Sequence, residues 1–192
     1  MASVPETFQL KIRLLGISPM IWRRVLVSPS ITLRELHGVL QVAMGWDGIH
    51  LFQFNIRAVD YGSLELHAAN PNIALSGFGF RRNDRFAYIY DMGNYWNHEV
   101  RVEAVMDADP KKTYPVCTGG AGACPPEECG GPLVLGIDGR VGDRNVTQVD
   151  ELLSNLVFEG CWSCGDLVGV CGFDSVFERD ACDDFREVVK AA

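Results

Sequence analysis

All seven cysteines of this 192-residue chain lie beyond residue 116, so thiol chemistry is the first function to consider. Three of them, Cys117, Cys124 and Cys129, lie in a segment rich in glycine and proline. Thiolates bind zinc and iron–sulfur clusters, and a tetrahedral zinc site needs four ligands. The spacing of these three cysteines differs from that of a zinc ribbon. The segment is therefore either part of a metal site or a rigid loop whose cysteines are incidental.

The other four cysteines lie nearer the C-terminus, at Cys161, Cys164, Cys171 and Cys182. Cys161 and Cys164 form a C-x-x-C pair, which suits zinc because two thiolates can bind from one tight turn. Cys171 and Cys182 would complete a four-cysteine set, or the pair would join the first group. The alternatives are a thiol–disulfide pair in which Cys161 attacks, an iron–sulfur cluster, and small buried cysteines. Zinc is preferred to the redox pair, because the glycines after Cys164 disfavour the helix that such a pair requires.

A second candidate site combines histidine, carboxylate and tryptophan side chains. The strands predicted below place His50 and His98 near strand starts, where they could converge, and Asp91 is a further candidate for the same pocket. Histidine next to a carboxylate supports general acid–base catalysis or a site for a hard metal ion. The alternative is structural, since an aspartate before a Met-Gly turn is typical of an Asx-turn. The full group is Trp46, Asp47, His50, Asp91, Trp96, His98 and Glu99.

Arginines form a third candidate site, at Arg23-Arg24, Arg81-Arg82 and Arg85, which could bind an anion or a nucleic-acid backbone. Alternation along a strand places Arg23 and Arg24 on opposite faces, so solvated or ion-paired arginines are the preferred interpretation. The chain has 25 acidic and 17 basic residues and a net charge of −8, which argues against non-specific nucleic-acid binding. The sequence contains no phosphate-binding glycine loop, no G-x-S-x-G elbow and no H-E-x-x-H motif.

Hydrophobic periodicity indicates the elements that must position these residues. Alternation of apolar and polar residues predicts antiparallel strands, and Thr32 to Met44 carries a helical apolar stripe. Thr32 and Glu35 have the spacing of a capping box, and Gly45 is a natural helix end. Residues 58–84 receive no assignment, and a further helix is predicted at 147–157. The predicted strands are residues 8–14, 21–27, 52–56, 86–90 and 98–105, the last two joined by a tight turn at 92–94.

Composition and pattern together predict a single α+β domain, mostly an antiparallel sheet with a few packed helices. Hydrophobic residues make up 47% of the chain, which is enough for a core without help from metal or disulfides. Residues 1–132 form the predicted core, and residues 133–192 form a Cys-rich, acidic extension packed on it. The N-terminus has no signal-peptide pattern and no apolar run reaches membrane-spanning length. We therefore expect a cytoplasmic protein, in which clustered cysteines bind metal or do redox chemistry more often than they form structural disulfides.

Several combinations of rare residues resemble the plasmid pRiA4b ORF-3-like family, whose members are also described as transposon passenger proteins. The resemblance covers about residues 8–132 and implies one α+β domain with an antiparallel sheet and no settled activity. A resolvase role, suggested for some members, needs a nucleophilic serine among arginines, and this chain has no such cluster. The matching segments are residues 18–25 (SPMIWRRV), 32–37 (TLRELH), 44–47 (MGWD), 88–93 (YIYDMG) and 123–131 (ACPPEECGG).

Two departures from the family pattern limit what the resemblance implies. Asn94-Tyr95-Trp96 stands where the family usually has Asp-Gly-Trp, and a Cys-rich segment follows Gly131 in place of the usual continuation. The function of the extension therefore has to come from its own residues. Dense thiols without a catalytic triad predict a zinc-binding adaptor protein with another protein as its partner, associated with mobile elements only through the resemblance.

Overall fold

An antiparallel sheet of seven strands dominates the computed structural model, which describes residues 6–132. The strands are β1 (Glu6–Leu14), β2 (Trp22–Val27), β3 (Phe52–Ile56), β4 (Val59–Gly62), β5 (Arg85–Tyr90), β6 (Trp96–Asp107) and β7 (Val116–Ala121). Along the sheet they follow the order β4-β3-β5-β6-β1-β2-β7. One α-helix and two 3-10 helices are the other elements defined in this range. The helices are α1 (Leu33–Met44) and the 3-10 helices Leu64–Leu66 and Leu75–Phe78.

The predicted fold class needs a correction toward β structure. The antiparallel sheet is confirmed, but α1 is the only α-helix among residues 6–132, so the domain is mostly β rather than a sheet with several packed helices. Two strands, β4 and β7, were not predicted from the sequence. β4 is a short, mostly exposed edge strand without a clear apolar alternation, and β7 is rich in glycine. β4 is defined by its backbone pairing with β3, and β7 by its pairing with β2. Backbone pairing does not depend on the side-chain pattern, so the sequence pattern did not reveal these strands.

The two faces of the sheet differ sharply in character. Alternate residues such as Leu10, Ile12 and Val100 are fully buried on the face that α1 covers, where Val39 and Leu40 of the helix join the same core. The opposite face is polar and carries ion pairs, including Arg24 to Glu103 at 2.5 Å. This division follows from the period of two along a strand, which sends successive side chains to opposite faces.

Helix α1 begins and ends as its sequence predicts. The Thr32 hydroxyl accepts the Glu35 backbone N–H at 3.2 Å, and the Glu35 carboxylate accepts the Thr32 backbone N–H at 2.7 Å, which completes the capping box. At the other end Gly45 adopts a left-handed conformation with φ 73° and closes the last turn. No helix in residues 6–132 combines the length and apolar character needed to cross a bilayer.

Several predictions concern residues outside the described range. These are the helix at 147–157, the packing of the 133–192 extension on the core, and the positions of Cys161, Cys164, Cys171 and Cys182.

Candidate functional site

The candidate site lies at one end of the sheet, where the start of β3, the end of β5 and the segment 122–131 meet. Phe52 of β3 pairs with Tyr90 of β5, so His50 and Asp91, which flank the pair, reach the same edge. Segment 122–131 brings two further carboxylates, those of Glu127 and Glu128, to this edge. We call His50, Asp91, Glu127 and Glu128 the His50 cluster.

Asp91 owes its position to the tight turn between β5 and β6. Its Oδ1 accepts the backbone N–H groups of Gly93 at 3.0 Å and Asn94 at 3.2 Å, and the Asn94 amide donates to Oδ2 at 2.6 Å. Asp91 itself has φ 54°, a left-handed conformation that aspartate tolerates better than most residues. The Asx-turn interpretation of this aspartate is therefore confirmed.

Two buried indoles hold segment 122–131 against the end of the sheet. Trp46 Nε1 donates to the carbonyl of Pro125 at 2.8 Å, and Trp96 Nε1 donates to the carbonyl of Glu127 at 3.2 Å. The backbone at Gly131 lies so close to Asn94 that a Cβ on Gly131 would be 2.4 Å from the Asn94 carbonyl oxygen. Gly131 also has φ +83°, a conformation that favours glycine. Segment 122–131 is therefore packed in a defined position against the end of the sheet.

Glu127 is bound by its neighbours through both carboxylate oxygens. Oε1 accepts the Tyr90 hydroxyl, and Oε2 accepts the Asp47 backbone N–H at 2.7 Å. Burial, together with the hydrogen bond to Glu127, raises the pKa of Tyr90 well above its usual value, so this hydroxyl stays protonated and donates. The Tyr90 oxygen in turn accepts the backbone N–H of His50 at 3.2 Å, which ties the start of β3 to the same carboxylate.

The imidazole of His50 is accessible to solvent within this cluster. Its Nε2 lies 2.6 Å from Glu128 Oε1, 3.7 Å from Asp91 Oδ2 and 3.9 Å from Glu127 Oε1. Because a carboxylate only accepts, the proton of the shortest contact lies on Nε2. The side chains of His50 and Glu128 are 30% and 68% exposed, so a ligand could reach both. Three carboxylates therefore surround one accessible imidazole.

His98 lies elsewhere, inside the core. It is fully buried on β6, its Nδ1 contacts the Tyr88 carbonyl oxygen at 3.3 Å, and its ring packs against Trp46 with centroids 5.5 Å apart. Burial lowers the pKa of His98 to about 4, so the ring is neutral at pH 7. The structure brings His50 and Asp91 together. The predicted convergence of His50 with His98 is wrong, because the His98 side chain points into the core.

A buried polar network that the sequence analysis missed joins α1 to β5. The Tyr88 hydroxyl accepts Gln41 Nε2 at 2.6 Å and lies 2.7 Å from His37 Nδ1, whose ring stacks on Phe52 at 3.9 Å. Burial lowers the pKa of His37 to about 3, so the ring is neutral and its Nδ1 can accept a hydrogen bond from the Tyr88 hydroxyl. The available signal was the i, i+4 spacing of His37 and Gln41, which places them on one helix face.

The three cysteines that the structure describes occupy different surroundings. Cys117 is buried on β7. Cys124 Sγ lies 3.3 Å from Arg23 Nη2 and 3.3 Å from Met44 Sδ, and Cys129 is half-buried against the core. Across residues 6–132 no three His, Cys, Asp or Glu side chains are arranged to hold a metal ion.

The architecture defines a class of protein, a domain with a seven-stranded antiparallel sheet. One end of the sheet is covered by the segment 124–129 (Cys-Pro-Pro-Glu-Glu-Cys). The plasmid pRiA4b ORF-3-like protein family matches residues 6–136, and the chain belongs to this family, which confirms the resemblance. An uncharacterized protein of Sinorhizobium fredii, y4hQ, is 35% identical over 135 residues, which are 67% of this chain and 69% of that one. The crystal structure of a protein of unknown function from Methanosarcina mazei Go1 is similar, with a TM-score of 0.64 and 30% identity over 70% of this chain and 80% of that one.

Proposed function

We propose that this protein is a cytoplasmic adaptor whose His50 cluster binds a basic side chain of a partner protein, with zinc held by the cysteines of residues 133–192. The observation that carries the binding role is the convergence of three carboxylates on one accessible imidazole. Exposed apolar side chains adjoin it in sequence, with Ile49 and Leu51 41% and 37% exposed. A carboxylate cluster beside apolar surface suits a lysine or arginine carried on a peptide.

The hydrogen bonds of the cluster favour binding over catalysis. Asp91 and Glu127 are held by the turn, by Tyr90 and by the Asp47 backbone, so their oxygens serve to fix the geometry. His50 and Glu128 remain accessible, and no serine, threonine or cysteine hydroxyl or thiol is hydrogen-bonded to His50 among residues 6–132. A nucleophilic mechanism needs such a partner for the base.

Nuclear magnetic resonance with a short Lys/Arg-rich peptide as the probe tests this binding role. The peptide is expected to shift the His50 ring and Trp96 indole signals, and Glu128→Lys is expected to weaken binding by about tenfold, because it replaces attraction with repulsion. The matched control is Glu65→Lys, an exposed glutamate outside the cluster. An equal loss in both variants, or no shift at either ring, would contradict the proposal.

The zinc part of the proposal rests on Cys161, Cys164, Cys171 and Cys182. Four thiolates complete a tetrahedral site, and the C-x-x-C pair supplies two of them from one turn. The separate surroundings of Cys117 and Cys124 also favour a site built from the later cysteines. The alternatives are a thiol–disulfide pair at Cys161 and Cys164 and an iron–sulfur cluster.

Elemental analysis of protein purified without chelator distinguishes these alternatives. Stoichiometric zinc with masked thiols is expected, and a Cys161→Ser, Cys164→Ser double variant should release it. Cys117→Ser serves as the control and should keep its zinc. Two fast-reacting thiols without metal would favour the redox pair, and visible absorbance with bound iron would favour the cluster.

A further inference from the structure

A cavity of about 760 Å³ lies on the polar face of the sheet, remote in sequence from the His50 cluster. Its walls come from the second half of β6, from β1 and from the turn that precedes β5. This volume is typical of sites for small molecules. The residues that carry the argument are Arg81, Arg82, Asn83, Arg101 and Val105.

Hydrogen bonds hold the turn before β5 in a defined conformation. The Arg81 N–H donates to Asp84 Oδ2 at 2.9 Å, and the Asp84 N–H donates to the Arg81 carbonyl at 3.0 Å. The turn is also joined to β6, because the Asn83 N–H donates to the Val102 carbonyl at 2.7 Å. Arg81 and Arg82 therefore start from a fixed backbone, which reduces the entropy lost when they bind a ligand.

A β-bulge in β6 shapes the adjoining part of the cavity. Gln9 of β1 pairs with Ala104 and Leu10 pairs with Val102, so Glu103 is the extra residue between them. Bulges re-aim neighbouring side chains and bend the strand. Here the bulge separates Arg101 from Val105, both of which line the cavity.

The cavity concentrates positive charge that no described carboxylate neutralises. Arg81, Arg82 and Arg101 form no ion pair among residues 6–132, and Arg101 Nη2 donates to Asn83 Oδ1. The Nε of Arg101 is buried with no hydrogen-bond partner in the described part of the chain. The acid in the wall, Glu103, accepts Arg24 at 2.5 Å and Gln9 at 2.8 Å, and its bond to Arg24 lowers its pKa.

The net charge of the whole chain does not oppose an anion here. Residues 133–192 contain 12 of the 25 acidic residues and 5 of the 17 basic ones, so most of the negative excess belongs to that segment of sequence. Within residues 1–132 acids and bases are nearly balanced. Local charge at the cavity therefore decides the sign of its preferred ligand.

We propose that this cavity binds a phosphate-bearing small molecule, with the phosphate held by Arg81, Arg82 and Arg101. The planar guanidinium fork matches phosphate oxygens through paired hydrogen bonds. Val105, which is 37% exposed, supplies apolar surface for the rest of the ligand.

Calorimetric titration of the full-length protein with inorganic pyrophosphate, at constant ionic strength, tests this site. Saturable binding is expected, and Arg82→Ala should weaken it by about tenfold, since each charge-assisted pair contributes on that scale. Arg101→Gln should have a similar effect. Arg85→Ala is the matched control, because it removes the same charge from an exposed arginine that pairs with Glu99 at 3.0 Å outside the cavity.

Any result other than this one would overturn the assignment of a phosphate site to the cavity. Absence of saturable binding, or equal weakening by Arg85→Ala, would mean that the cavity holds no specific phosphate site. Tighter, steeply salt-dependent binding of a single-stranded oligonucleotide would instead assign the arginines to a nucleic-acid backbone. Arg82 is exposed and makes no described contact, so its variant tests the site even if Arg101→Gln fails to fold.

Discussion

At the residue scale, Arg23 is a buried charge satisfied by carbonyl oxygens. It is 2% exposed and donates to the Ala43 carbonyl at 3.0 Å and the Gly122 carbonyl at 2.9 Å. A Cβ on Gly120 would come within 2.9 Å of the Arg23 Cδ, so glycine makes room for the arginine stem. The predicted placement of Arg23 and Arg24 on opposite faces is confirmed, but the preference for a solvated or ion-paired residue holds for Arg24 and is wrong for Arg23.

Loss of the buried guanidinium should destabilise the domain more than loss of its neighbour. Arg23→Met removes the donors to the buried Ala43 carbonyl and to the part-buried carbonyls of Ala121 and Gly122, and we expect the free energy of unfolding to fall by about 2–4 kcal/mol. Arg24→Met removes a partly exposed ion pair and should cost less than about 1 kcal/mol. Urea denaturation followed by tryptophan fluorescence measures both. Equal losses would show that Arg23 contributes no more than a surface pair.

The buried His98 should make stability depend on pH. Its folded pKa of about 4 lies below the unfolded value of about 6.5, so the unfolded chain binds the proton first as pH falls. The stability that the neutral His98 contributes is complete above the pKa of the unfolded state, and it is lost as the pH falls toward the pKa of the folded state. Between about pH 7.5 and about pH 5 we expect His98 to contribute a loss of about 2 kcal/mol, beyond the loss that His37 contributes, and His98→Gln should remove the His98 part.

The control for this pH dependence is His67→Gln, which changes an exposed histidine. Its stability should follow the wild-type profile, because the carboxylates and His37 titrate equally in both proteins. An unchanged pH dependence in His98→Gln would refute the assignment to His98.

At the element scale, α1 forms the cover of the sheet and supplies much of the core. Its first turn is fixed by the capping box of Thr32 and Glu35, and its last turn by Gly45. Gly38 lies within the helix, and a Cβ there would meet no atom within 4 Å. Both ends of the helix are therefore stabilised by caps, and Gly38 weakens its middle.

Two substitutions in α1 should shift stability in opposite directions. Thr32→Ala removes the cap acceptor and should lower the free energy of unfolding by about 1 kcal/mol. Gly38→Ala fills open space and restricts the unfolded chain, so it should raise that free energy by about 0.5–1 kcal/mol. Thermal unfolding measured by circular dichroism compares the two variants. A destabilising Gly38→Ala would mean that this helix face is covered in solution.

At the scale of the whole molecule, the described domain encloses its own core. Trp46 and Trp96 are at most 1% exposed, and their indoles hold segment 122–131 in place. The core cluster extends from β1 through β7, so residues 6–132 bury a large apolar surface by themselves.

Removal of zinc should therefore leave the sheet intact. We expect chelator treatment of the full chain to preserve the near-ultraviolet circular dichroism of Trp46 and Trp96. The melting temperature of that signal should shift by less than about 4 °C, which corresponds to about 1 kcal/mol. Collapse of the tryptophan signal would instead make the metal part of the core, and a metal-free purified protein would contradict the zinc proposal directly.

Local pattern by itself determined the strands β1, β2, β3, β5 and β6, the helix α1 with both of its ends, and the Asx-turn at Asp91. These features depend on residues within one or two turns of the chain, so periodicity and capping chemistry encode them. Tertiary structure alone decided that Glu127 and Glu128 meet His50, that Arg23 is buried, and that the arginines of the turn before β5 line one cavity together with Arg101. Those contacts join residues far apart in the chain, and strand order and pairing, which no local pattern specifies, bring them together.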